Sequence, residues 1–227
     1  MSADDGDHEP PGGRGFSTPS WSWLLAAVVL VAFVVIGFTL LRGALSGGEG
    51  ERGARGLETG TVIPPFAAPL VSSTVDGDVN LARKADSGGA GRVPACSVRM
   101  RGVVTSCRLV AQRPVVLMFA TTTGRCTGAL DTLERARRAI GRDVQVAAVA
   151  IRGDRERWRE LVARWRFPVL YDRDGGLTSA FAVEVCPQTT LIERGGRVAG
   201  TIIGEVPATE LVRRAAVLGD GRSMGRR

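Results

Sequence analysis

An uncharged apolar run, Trp21 to Leu41 (WSWLLAAVVLVAFVVIGFTLL), breaks an otherwise mixed pattern of hydrophobic and polar positions. Its length suits the roughly 20 residues a helix needs to cross a bilayer, and Trp21 and Trp23 suit the interface. A cleaved leader would start basic and carry a shorter apolar core. Here the start is acidic, with Asp4, Asp5, Asp7 and Glu9. The run therefore predicts a retained transmembrane helix over 21–41. Residues 1–20 are polar and rich in Gly, Pro and acids, which predicts a disordered tail. Residues 42–60, rich in Gly, Arg and Glu, predict a flexible linker. A globular pattern spans 61–218, and 219–227 reads as a flexible polar tail.

Inside the globular stretch, Ile63 to Arg113 is irregular, with Pro64-Pro65, Asp76-Gly77-Asp78 and Ser87-Gly88-Gly89. It carries Cys96 and Cys107. Beyond it the periodicity sharpens. The spacing predicts a buried strand over 114–119, a helix over 126–140 and a second buried strand over 144–151. That second strand is apolar almost throughout, as central parallel strands are. Arg155 to Trp165 alternates charge with Trp158, Leu161, Val162 and Trp165 at helical spacing. Those tryptophans are expected to pack on a sheet. A third strand over 167–171, a turn over 172–176 and a short helix over 177–183 follow. Strands over 189–193 and 197–203, joined through Gly195-Gly196, predict a hairpin. An amphipathic helix over 207–218 closes the pattern. This β-α-β-α-β-α order, then a hairpin, then a helix, predicts an α/β fold with helices on both faces of a mostly parallel sheet.

Composition narrows the chemistry. The 227 residues carry a net charge of +7, almost all of it from arginine, with Lys84 the only lysine. No aromatic-interleaved basic patch or nucleic-acid motif accompanies that charge, so nucleic acid is not an expected partner. His8, in the tail, is the only histidine. The globular stretch thus offers no Cys/His zinc site and no histidine base, and neither metal nor cofactor is expected. Arg14 before the apolar run against Arg42, Arg52 and Arg55 after it would weakly place the globular part in the cytoplasm. Four cysteines argue for an oxidising compartment. Large domains translocate regardless of nearby charge, so the expectation is a single-pass cell-membrane protein with a cytoplasmic tail and an extracytoplasmic domain.

The chemistry-bearing residue is Cys126. Arg113 to Phe119 reads as strand, and Ala120-Thr121-Thr122-Thr123-Gly124-Arg125-Cys126 leads into a helix. A cysteine there sits where unpaired backbone N–H groups and the helix dipole favour a thiolate.

These residues resemble a thioredoxin-like fold, specifically the membrane-anchored TlpA/ResA-type thiol–disulfide oxidoreductases and the related redoxin/peroxiredoxin group. Pro65 to Leu70 with Asp76 to Leu81 is similar to that family's entry hairpin, and Arg113 to Cys126 to the strand entering its redox turn. Phe167 to Gly175 (FPVLYDRDG) matches a recurrent segment. Val185 to Gly196 (VCPQTTLIERGG) resembles the cis-proline segment and its hairpin. The likeness covers about residues 60–218. It implies that Pro187 is cis and shapes a substrate groove, and that Cys186 stands beside Cys126. Thr123-Gly124-Arg125-Cys126 departs from the family's C-x-x-C: the first, attacking cysteine is Thr123. It also fits the T-x-x-C of peroxiredoxins, whose threonine steadies a peroxidatic thiolate. The proline that precedes that threonine by four residues in those enzymes is Phe119 here. Arg125 stands where it could substitute for their arginine.

Four cysteines allow three pairings. Cys96 and Cys107, eleven residues apart in an irregular segment, read as a structural pair that would contribute roughly 3 kcal/mol; alternatively one of them resolves Cys126. Fold analogy puts Cys126 within bonding reach of Cys186, as a redox-active disulfide, a structural disulfide or two packed thiols. The leading expectation is an anchored oxidoreductase acting on protein thiols or disulfides, with Cys126 reactive, helped by Thr123 and Arg125, and Cys186 resolving. The alternatives are a thiol peroxidase that uses Cys126 on hydroperoxides and a catalytically degenerate binding module.

Overall fold

In the computed structural model the described residues are 30–32, 56–85 and 91–220, and those from 56 onwards belong to one compact unit. The expected tail over 1–20, most of the expected linker and residues 221–227 of the expected tail over 219–227 lie outside the described residues, while Gly219 ends the closing helix. Of the expected membrane span only Leu30, Val31 and Ala32 are described, and they are helical. Among the described residues no helix is long and apolar enough to cross a membrane.

The main sheet has five strands: β3 (Val115–Ala120), β4 (Gln145–Ile151), β5 (Val169–Asp172), β6 (Gln188–Ile192) and β7 (Val198–Ile203). Their spatial order is β5-β4-β3-β6-β7. β3 runs parallel to β4 and antiparallel to β6, and β6 and β7 form the expected hairpin. β3 is the middle strand, and every residue in it is buried. Alternate side chains leave opposite faces of a strand. Accordingly Val116, Met118 and Ala120 join one core with Leu130, Leu133, Trp158 and Leu211. Val115, Leu117 and Phe119 join the other with Phe66, Leu109, Leu177 and Phe181. Both tryptophans pack on the first face. Trp158 Nε1 donates to the Arg152 carbonyl and Trp165 Nε1 to Asp131, so their polar edges are satisfied.

Helices α2 (Arg125–Ile140), α3 (Arg155–Val162), α4 (Gly176–Ala180) and α5 (Ala208–Gly219) cover the sheet; α1 (Ser106–Leu109) precedes it. α3 ends at Val162, short of the expected Trp165, and α4 spans Gly176–Ala180 where 177–183 was expected. Asp172, fully buried, accepts from the Leu177 and Thr178 N–H groups and the Thr178 hydroxyl, which anchors the start of α4.

The entry segment departs from the expected hairpin. β1 (Ala67–Pro69) pairs with β2 (Val103–Thr105), not with 76–81. Asn80 alone of that stretch bridges β1, at Ala67. The long excursion between β1 and β2 therefore leaves and rejoins one small sheet, and Cys96 and Cys107 join near its return, with Cα atoms 5.6 Å apart.

Candidate functional site

Two chain segments meet at the end of β3. From one side, residues 121–124 turn the chain from β3 into α2. Gly124 is the residue before the helix, and its φ of 54° with ψ of −132° is backbone that glycine adopts without a Cβ penalty. Cys126 is then the second residue of a sixteen-residue helix. No side chain caps this helix start, so its first N–H groups remain free to face a sulfur anion. Thr127 Oγ1 donates to the Thr121 carbonyl at 3.2 Å and ties the helix start to the turn.

From the other side comes the segment before β6. The Cys186–Pro187 peptide is cis, and Pro187 is buried. Its carbonyl accepts from Gly204 N–H at 2.8 Å, which fixes it against the loop after β7. Cys186 packs against the first core. Cys126 and Cys186 are joined by a disulfide with Cα atoms 5.7 Å apart. All four cysteines are thus paired.

Thr123 and Arg125 are exposed. The Thr123 hydroxyl lies 3.0 Å from that of Thr121, and Thr121 Oγ1 lies 3.8 Å from Cys186 Sγ. The hydroxyl that reaches a sulfur is therefore that of Thr121, and the sulfur is that of Cys186. The Phe119 carbonyl stands 4.0 Å from the same sulfur, placed to accept from its thiol once the bond is reduced. Sequence reasoning missed Thr121, because its partner is sixty-five residues away.

Beside Pro187 the surface opens into a groove of about 700 Å³ between α2 and the loop from β7 to α5. Arg125, Gly128, Ala129, Thr132 and Arg135 form its α2 wall, at the i, i+3, i+4, i+7 spacing of one helix face. Met118 and Pro187 lie at its base, and Glu205 and Val206 on the facing wall. A Cβ at Gly128 would meet nothing within 4 Å, so that position opens directly onto the groove. Among the described residues no cluster of three or more His, Cys, Asp or Glu could hold a metal ion.

No protein-family model and no curated protein matches this sequence. Solved structures do match. A candidate thiol:disulfide interchange protein DsbE from Chlorobium tepidum superposes with a TM-score of 0.52 at 20% identity, over 72% of this chain and 98% of that one. The fold is thioredoxin-like. A secreted Mycobacterium tuberculosis disulfide oxidoreductase homologous to E. coli DsbE gives a TM-score of 0.50 at 19% identity, over 67% of this chain and 96% of that one. The peroxidoxin BcpB of M. tuberculosis gives 0.52 at 15% identity, over 73% and 97%. At these identities the likeness fixes the architecture of the thioredoxin-like domain and leaves its chemistry to its own residues.

Proposed function

We propose that this chain is a thiol–disulfide oxidoreductase whose redox pair is Cys126 and Cys186, displayed at the outer face of a membrane by the apolar run 21–41. The observation that carries the reading is the bond between a cysteine at an uncapped helix start and a cysteine beside a buried cis-proline. Four cysteines in two pairs fit an oxidising compartment, which supports the extracytoplasmic placement.

In the reducing direction the Cys126 thiolate attacks one sulfur of a substrate disulfide. A mixed disulfide forms and the other substrate sulfur leaves as a thiolate. Cys186, deprotonated, then attacks Cys126 Sγ. The Cys126–Cys186 bond re-forms and the second substrate sulfur leaves. Substrate takes up two electrons and two protons, and the protein loses them. A substrate dithiol drives the same steps backwards. The helix start stabilises Cys126 as attacking and as leaving group. A hydroxyl donor at Thr121 does the same for Cys186. Cys186 thus fills the place left by Thr123, from another chain segment.

Exchange of the full-length chain with a disulfide-bonded peptide tests this. Cys126→Ser is expected to abolish exchange. Cys186→Ser is expected to accumulate a mixed disulfide on Cys126, visible by mass spectrometry. An unchanged rate in Cys126→Ser contradicts the proposal. Fast stoichiometric consumption of hydroperoxide by Cys126, with no peptide exchange, would instead identify a thiol peroxidase. Neither activity, with no reducible Cys126–Cys186 bond, would identify a binding module.

A further inference from the structure

We propose that the groove beside Pro187 selects acidic polypeptide segments, an inference that rests on reading this groove as the substrate site. Its α2 wall carries a guanidinium at each end, Arg125 and Arg135, both exposed. Among the described residues neither has a carboxylate partner; Arg135 only donates to Thr132 Oγ1. Between them the wall is small, with Gly128, Ala129 and Thr132 leaving room for a chain to lie along the helix. The facing wall offers one carboxylate, Glu205. The next acid along, Glu210, is held by Arg213 and Arg214. The wall nearest the disulfide is therefore cationic, and its charges are free to pair with an occupant.

The spacing defines that occupant further. The two arginines are ten helical positions apart, about 15 Å at 1.5 Å per residue. An extended chain covers that distance in about four or five residues. Arg125 adjoins Cys126, so the reactive sulfur of the occupant lies at the Arg125 end. The fitting substrate is an extended segment with one carboxylate near its cysteine and another about four or five residues away.

The test separates binding from redox chemistry. Two fluorescent peptides of equal length, with serine in place of the cysteine and either glutamate or lysine at the two flanking positions, are titrated onto the oxidised full-length chain held in detergent. Low ionic strength keeps exposed charges unscreened. Two exposed ion pairs predict roughly five- to tenfold tighter binding of the glutamate peptide by fluorescence anisotropy. Arg135→Glu is expected to remove or reverse that preference. Gly128→Leu, which projects a side chain from the α2 wall into the groove, is expected to weaken the glutamate peptide. Equal affinities overturn the proposal, as does a preference that Arg135→Glu leaves intact. Full binding in Gly128→Leu also overturns it, because the charges would then act outside the groove. Because the peptides lack cysteine, selective binding alongside absent exchange would fell the redox reading alone.

Discussion

Glu134 sits on α2 with its carboxylate nearly buried, and four donors surround it. Arg137 gives two hydrogen bonds at 2.9 and 3.0 Å, the Arg166 N–H another at 3.0 Å, and Arg138 stands at 3.5 Å. The Arg137 hydrogen bonds, against the opposing push of burial, hold its carboxyl at about 2, below the usual 4.5. In the unfolded chain the group takes up its proton at higher pH. Its contribution to stability is therefore complete above about pH 4.5 and is lost as pH falls towards 2. Glu134→Gln is expected to cost about 1–3 kcal/mol at neutral pH, in denaturant titrations. The gap between the two proteins should close across that acid window; parallel curves would contradict the assignment. The sequence does not announce this residue, because a glutamate among arginines on a helix reads as a solvated face. Cys126 and Pro187 were legible for the opposite reason: each sits in a local pattern, strand-turn-helix or proline before a hairpin, that restricts its surroundings. Thr121 reaches a sulfur brought close only by folding, and Arg135 lines a groove whose other wall comes from a distant loop.

At the scale of elements, the strands and helices after residue 113 emerged from periodicity within a few residues of their observed ends, because each buries one face or both. The stretch before it lacks such a period, and its main pairing lies elsewhere: β1 takes β2 as partner, and of 76–81 only Asn80 bridges it. What holds that stretch is written on another element. Arg155, the first residue of α3, donates to the carbonyls of Leu70, Ser73 and Val75 at 2.6 to 2.9 Å, and its guanidinium lies 5.2 Å over the Tyr171 ring. Arg159 adds bonds to Val71 and Ser73. In sequence these arginines look like ordinary charged positions of an amphipathic helix. Arg155→Ala removes the donor to the Val75 carbonyl and one donor each from the Leu70 and Ser73 carbonyls, at an expected cost of about 1–3 kcal/mol. Hydrogen exchange should then speed up at residues 71–75 and stay unchanged in β3. Unaltered protection at 71–75 would show that Arg159 alone secures the loop.

At the scale of the whole molecule, one thioredoxin-like unit carries two disulfides with different surroundings. Cys96–Cys107 closes a short loop that ties the excursion between β1 and β2 to α1, just past β2. Cys126–Cys186 joins two separate segments at the end of the central strand, next to the groove lined by Arg125 and Pro187. A thiolate at Cys126 has a helix start to stabilise it, which favours opening of that bond. The central claim is that this second bond is the one that cycles. The most direct measurement equilibrates the full-length chain across a series of thiol–disulfide buffers, alkylates free thiols at each step and maps all four cysteines by mass spectrometry. Cys126 and Cys186 are expected to open and close together, reversibly, while Cys96 and Cys107 stay joined. Simultaneous opening of both bonds under strong reductant alone, or a Cys126 that remains a free thiol throughout, would contradict it.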